Sequence, residues 1–272
     1  MFSDKELSRR LERAEAEANA AFVRGRARIN PQIGATWIDV AGAYAMFDGA
    51  ESPCTQTFGL GVFDEVTSAD LAKIEQFYQD RGAPVFHEVS PLAGLELIAL
   101  LNERGYQPIE QSSVMYRPIE GGVDPSSRRH PRMQVRPIRK DEGDLWTETT
   151  IQGWSHLPEI ADYLRELAPL ATQRENSISL LVELEDKLIA TGAMCLHEGV
   201  ALLAGACTVP EARRQGAQLA LLNYRLDYAA EQGCDIAMMG AQPGSASQRN
   251  AERHGFRIAY TRTKWQLTRP TA

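Results

Sequence analysis

The 272-residue chain has only four cysteines, Cys54, Cys195, Cys207 and Cys234, with no CxxC pair and no cluster of cysteine and histidine at metal-ligand spacing. That speaks against a zinc site and a disulfide framework and fits a reducing compartment. Long hydrophobic runs are missing as well. The longest apolar stretch, Gly199–Val209, is half of what a membrane span needs. Met1–Arg13 is charged throughout and has no apolar h-region, so it does not read as a secretory signal. A basic surplus is also absent: the net charge is −7, and a protein with this balance is a poor general binder of nucleic acid. These absences leave a cytoplasmic protein with neither a membrane nor a nucleic acid as partner.

What is present is ordinary globular material. Apolar residues make up 43% and charged residues 24%, so disorder is not expected. The length suits two domains of roughly 100–150 residues. Charge divides unevenly between them. Residues 1–122 carry 11 Lys and Arg against 18 Asp and Glu, while residues 123–272 carry 18 of each. An anionic ligand is therefore expected in the C-terminal part.

The break falls at Gly121-Gly122-Val123-Asp124-Pro125-Ser126-Ser127, where apolar periodicity stops. The reading is a domain over 1–122, a linker over 123–132 and a second domain over 133–272. In the first, helices are expected at 4–22, from Thr67 or Ser68 to Arg81, and at Leu95–Arg104. Strands are expected at Ala43–Phe47, Phe58–Phe63, Pro84–Val89 and Ser113–Arg117. In the second, a strand at Gln134–Ile138 precedes helices at 141–152 and 158–171. A meander follows, Ser179–Leu184, Lys187–Leu196 and Val200–Val209, then a helix at Gln215–Gln232, a strand at Asp235–Met239, a helix at Ser245–His254 and a strand at 257–267. The order is that of an α/β protein with a mixed, mostly antiparallel sheet. Glu103-Arg104-Gly105-Tyr106 is echoed by Glu252-Arg253-His254-Gly255-Phe256, the glycines 150 residues apart. The echo fits two copies of one fold, and equally a common join of C-cap glycine and core aromatic.

The chemistry concentrates after the strand that ends at Val209. Pro210 stops the ladder, and a polar turn, Glu211-Ala212-Arg213-Arg214-Gln215-Gly216, opens a long amphipathic helix. Backbone N–H groups at a helix start lack intrahelical partners and, with the helix dipole, attract an anion. Arg213 and Arg214 add charge, and Gly216 lets a phosphate approach the backbone. The P-loop pattern GxxxxGK[ST] is absent. Taken alone, the segment is also compatible with a solvated surface turn.

Val209-Pro210-Glu211-Ala212-Arg213-Arg214-Gln215-Gly216-Ala217-Gln218 resembles the acetyl-CoA motif of the GCN5-related N-acetyltransferase (GNAT) superfamily, V-x-P-x-x-[RQ]-[RG]-x-G-x-[GA]. One spacer is compressed before Pro210, and Gln218 stands where Gly or Ala is usual. Ser245–Phe256 is similar to the family's second motif, helix 4 into strand 6. The resemblance covers about residues 134–267. It implies a sheet splayed between the family's strands 4 and 5, with helices on both faces. Counting 39 residues back from Gly105, the distance between Gly216 and Gly255, reaches Asp64-Glu65-Val66-Thr67, with neither arginine nor glycine at the turn. The first half thus looks like a degenerate GNAT repeat, and the chain like two tandem GNAT-like acyl-CoA N-acyltransferase domains.

The resemblance implies an acetyltransferase that uses acetyl-CoA as co-substrate and needs no metal, its amine acceptor a small molecule and the chain a monomer or homodimer. It implies Thr208, Val209, Arg213, Arg214, Gln215, Gly216, Ala217 and Gln218 at the pyrophosphate and pantetheine arm, with Ser247, Asn250 and Arg253 from the later helix. A strand-4 backbone N–H, that of Val209 or a neighbour, is expected to polarise the thioester carbonyl. The family's strand-4 glutamate and helix-4 tyrosine have no counterparts here. His156 or Glu159, in the loop Gly153–Glu159 beside Trp154, is the candidate base. Cys207 reads as a small core residue. Two alternatives are a non-catalytic acyl-CoA sensor and a transferase for a longer acyl-CoA, for which Ala204, Gly205 and Ala206 leave room.

Overall fold

The computed structural model describes residues 2–119, 132–158 and 161–268. They form two compact units, Met1–Arg117 with Met238–Ala272, and Pro118–Ala237. The C-terminal segment thus groups with the first part of the chain, although the sequence places it in the domain 133–272. The expected linker falls almost wholly on 120–131, outside the described residues.

The first unit opens with α1 (Lys5–Ile29), capped by Asp4, whose side chain accepts from the Leu7 N–H. It runs seven residues past the expected end at Phe22, carried by the buried Val23 and Arg26. Next come β1 (Thr36–Val40), which the sequence reading missed, and β2 (Ala43–Phe47), which it found. The two are joined by Ala41-Gly42, both with positive φ, the two-residue turn that suits the twist of a hairpin. β3 is only Thr57–Phe58. The strand expected to reach Phe63 breaks because Gly59 and Gly61 take positive φ, and Phe63 and Leu97 pack where their Cβ atoms would be. α2 (Ser68–Gln79) begins in a capping box between Thr67 and Asp70. β4 (Phe86–Val89), α3 (Leu95–Glu103) and β5 (Tyr106–Pro118) follow.

The second unit starts with β6 (Met133–Pro137) and α4 (Gly143–Gly153). The helix expected over 158–171 is two short ones, α5 (Ala161–Glu166) and α6 (Leu170–Gln173), the second starting directly after Pro169. β7 (Ser177–Leu184), β8 (Lys187–His197) and β9 (Val200–Thr208) form the antiparallel meander expected. Its turns, Glu185-Asp186 and Glu198-Gly199, again have positive φ throughout. β6 flanks β7, so this sheet runs β9-β8-β7-β6. α7 (Ala217–Glu231) lays Ala217 and Leu221 into a core with Leu180, Val182, Ile189, Ala190 and Val209.

The chain then returns to the first unit through β10 (Ile236–Ala241), α8 (Ala246–Arg253) and β11 (Arg257–Leu267). β11 lies between β4 and β5, antiparallel to both, and pairs with β5 from Arg257↔Tyr116 to Leu267↔Tyr106. The sheet of this unit therefore runs β1-β2-β3-β4-β11-β5-β10, with β3 and β4 parallel at Thr57↔His87. No helix among the described residues is long and apolar enough to cross a membrane.

Candidate functional site

The site is built at the end of β9. Val209 leaves the strand, a single 3-10 turn covers Pro210–Ala212, and Arg213 is extended. Arg214 then takes φ +64 and Gly216 φ +91 before α7 begins. Positive φ is uncommon for arginine, so the turn holds the backbone in a tightly specified path. Gly216 is the N-cap of α7 and no side chain caps this helix. The first N–H taken up within the helix is that of Ala220, which donates to Gly216 O. The preceding N–H groups of the first turn point out at the positive end of the dipole. A Cβ added at Gly216 would meet no atom within 4 Å, so the space in front of the turn is open.

The corresponding turn in the first unit is the reverse. At α2, Thr67 Oγ1 accepts from the Asp70 N–H and Asp70 Oδ2 accepts from the Thr67 N–H. Those bonds from Thr67 hold the Asp70 carboxyl below its usual range, so a carboxylate already occupies that helix start. An anion finds open donors at α7 and a filled, negative cap at α2.

The side chains named from the sequence divide by what they do. Gln218 does not obstruct the turn. Its amide donates to Thr208 Oγ1 at 2.8 Å, tying the first turn of α7 to the end of β9. Gln215 turns back to Glu211 O. Arg213 reaches Thr208 O and, through Nη2, Gly153 O at 3.3 Å, so it clamps the loop to the end of α4. Arg214 is exposed on the open side with Gly216. The Val209 N–H donates to Ile189 O at 2.9 Å, so that group is not free to polarise a carbonyl. Ser247, Asn250 and Arg253 lie on α8, in the other unit, where Ser247 and Arg253 are exposed and Asn250 half-buried.

The sequence reading missed a bulge. Thr191 pairs with Cys207 and Ala193 with Ala204, so Gly205 and Ala206 together oppose Gly192. Gly205 has φ +60, the left-handed backbone of such a bulge. The strand is buried up to Leu203 and again at Cys207, yet opens to solvent at Ala204–Ala206. A bulge leaves its extra residue out of the ladder. The signal was there: a lone glycine inside a strand marks a bulge or a close backbone approach.

The end of α4 closes in beside it. Trp154 is half-buried and stacks on the exposed His156, centroids 5.7 Å apart. Cys207 is buried. Its thiol lies 3.1 Å from Thr191 Oγ1, which in turn is 2.8 Å from Thr150 Oγ1, and it also interacts with the Trp154 side chain. Burial pushes the thiol up, which makes it a packing group and not a nucleophile. Glu159 lies outside the described residues. Among the described residues no group of His, Cys, Asp and Glu is arranged to hold a metal ion.

Residues 140–256, which contain this turn, match the model of the acetyltransferase (GNAT) family. The chain carries a GNAT acetyltransferase domain. The fold likeness extends beyond that domain. A GCN5-related N-acetyltransferase from Kribbella flavida matches with a TM-score of 0.64 at 17% identity, over 94% of this chain and 96% of that one. Another from Sphaerobacter thermophilus matches at 0.58 and 15% identity, over 80% and 73%. A tandem GNAT protein from the clavulanic acid biosynthesis pathway matches at 0.56 and 10% identity, over 84% and 79%. At these identities the likeness is one of fold. No protein of curated function matches the chain in sequence.

Proposed function

We propose that the chain transfers an acetyl group from acetyl-CoA to the amine of a small-molecule acceptor, with the turn Thr208–Gln218 taking the diphosphate. The observation that carries this reading is the uncapped start of α7 behind Gly216, inside a GNAT domain. The fit is good. The space in front of Gly216 is open, Arg214 is exposed beside it, and Gln218 and Arg213 are engaged in holding the turn.

Acetyl-CoA supplies the acyl group as a thioester, whose thiol, with a pKa of about 8.5, leaves without much help. The chain's own residues do the rest. The bulge at Gly205–Ala206 offers a backbone N–H outside the β8 ladder, in place of Val209, to carry the charge that develops on the carbonyl oxygen. Trp154 gives the acceptor an apolar wall. His156, stacked on that ring, takes the proton that the amine loses as the C–N bond forms and the C–S bond breaks.

The test is calorimetric titration of acetyl-CoA into wild type, Gly216→Ala and Gly216→Glu. Alanine meets no neighbour, so it adds only the backbone strain of a left-handed residue, about 1–2 kcal/mol. Glutamate adds the same strain and a negative charge facing the diphosphate. The expected result is binding by wild type, modest weakening in Gly216→Ala and loss in Gly216→Glu. Equal binding by all three overturns the assignment.

A further inference from the structure

Among the described residues, none neutralises the core-facing Arg225. It continues the stripe of α7 that meets the sheet: Ala217, Leu221, Arg225 and Ala229 are all buried. One turn before it, Leu221 packs on Gly192, where an added Cβ would lie 2.6 Å from a Leu221 methyl. Arg225 itself is 5% exposed. Its Nη1 is 3.4 Å from Ala193 O, a weak contact, and its Nε has no partner among the described residues. The other buried arginines are different. Arg26 faces Asp48 at 3.2 Å, and Arg262 faces Glu12, Glu15 and Glu88. Burial without a counter-charge lowers Arg225 to about 10.

A buried guanidinium in this state is costly, and an apolar side chain of similar volume would complete the stripe at no such cost. Its place in the sheet is informative. Ala193, whose carbonyl it touches, pairs with Ala204, the first residue of the stretch where β9 opens to solvent. The side chains around the opening, those of Gly192, Ala193, Ala204, Gly205 and Ala206, are methyls or hydrogens. An uncompensated cation thus lies beside an open, small-walled stretch of strand.

We propose that Arg225 is a specificity residue whose guanidinium takes a carboxylate at the β9 bulge. The inference rests on the proposed function, since it places the carboxylate on one of the two reactants. A carboxylate reaches this point from either of two sources, the distal end of a dicarboxylic acyl group or an acidic acceptor amine, and both present the same chemistry to the guanidinium.

The experiment uses the full chain and the variants Arg225→Met and Arg225→Lys. One arm compares affinity for succinyl-CoA with that for propionyl-CoA. The other compares kcat/KM for acetyl transfer from acetyl-CoA to an amino acid and to its carboxamide. Free CoA and melting temperature are the controls. The expected result is a preference of about tenfold or more for the carboxylate in one arm, which names the source. It falls to near unity in Arg225→Met, is partly kept in Arg225→Lys, and leaves CoA affinity unchanged. Arg225→Met is expected to melt no lower than wild type, since it removes an unpaired buried charge. Ratios near unity in both arms of the wild type, or a ratio that survives in Arg225→Met, overturn the inference. So does a marked fall in melting temperature of Arg225→Met together with loss of CoA binding, which would make Arg225 a structural residue. Failure of the wild type to bind CoA at all overturns the proposed function itself.

Discussion

A methyl group added at Gly153 would stand 2.4 Å from Cys207 Sγ and 2.8 Å from Cys207 Cβ. Glycine is what lets the end of α4 approach β9, and with it the Arg213 clamp on Gly153 O and the position of Trp154. Gly153→Ala is expected to destabilise the chain by about 1–3 kcal/mol in urea denaturation, the range for overpacking a filled core. Cys207→Ala removes the nearer clash and leaves the farther one. The double variant should therefore recover part of the loss and not all of it, a coupling that a double-mutant cycle reads directly. Strict additivity would show that the two residues do not press on each other. The sequence does not reveal this contact, because nothing in the 54-residue separation pairs a helix-end glycine with a strand cysteine. By contrast, Gly216 was legible. Its role needs only a local pattern: an apolar strand, a proline, two arginines and a helix start.

At the scale of elements, β9 and α7 form one device: a strand that opens at its bulge, then a tight turn, then an uncapped helix. The sequence reads as one continuous strand because every residue from Val200 to Cys207 is apolar, and side-chain pattern does not report a backbone bulge. The same blindness produced the overlong strand at Phe58–Phe63, where Gly59 and Gly61 turn the chain. The meander itself was readable because each of its strands is bounded by polar turn residues. The bulge can be tested apart from the turn. At Gly205 an added Cβ would have only Ala193 Cβ near, at an ordinary 3.9 Å, so Gly205→Ala adds backbone strain and no clash. With φ at +60 that strain is about 1–2 kcal/mol. The expected outcome is that kcat for acetyl transfer falls several-fold while calorimetric CoA affinity holds, because the turn at Gly216 is untouched. A parallel fall in both would place the bulge in cofactor binding and not in carbonyl polarisation.

Across the whole molecule, the two ends of the chain meet in the first unit. The N-terminal helix and the C-terminal strand are joined where Tyr260 OH donates to Glu12 Oε1 at 2.8 Å and Arg262 reaches Glu12, Glu15 and Glu88. The cut expected at 122 and 133 followed composition, whereas β11 is placed by pairing with β4 and β5, a long-range choice that no local signal in the sequence carries. The junction sets a pH dependence. Three carboxylates surround one guanidinium. Burial, resisted by Arg262 and reinforced by Glu15 and Glu88, raises Glu12 from 4.5 to about 7. Burial likewise raises Glu88. A carboxyl with a raised folded value binds its proton more tightly folded than unfolded. Its contribution to stability is complete below about 4.5 and is lost as pH rises through about 7. The loss over that window is about 1.4 kcal/mol for each unit between the two values. Glu12→Gln keeps an oxygen for Tyr260 and cannot ionise. Melting curves of this variant and of wild type should therefore run together near pH 4.5, separate as pH rises from there to about 7 and stay apart by a constant margin above it, with the variant the more stable at pH 8. Curves that stay parallel from pH 5 to 8 would mean that Glu12 remains ionised in the fold and that Arg262 alone balances the cluster.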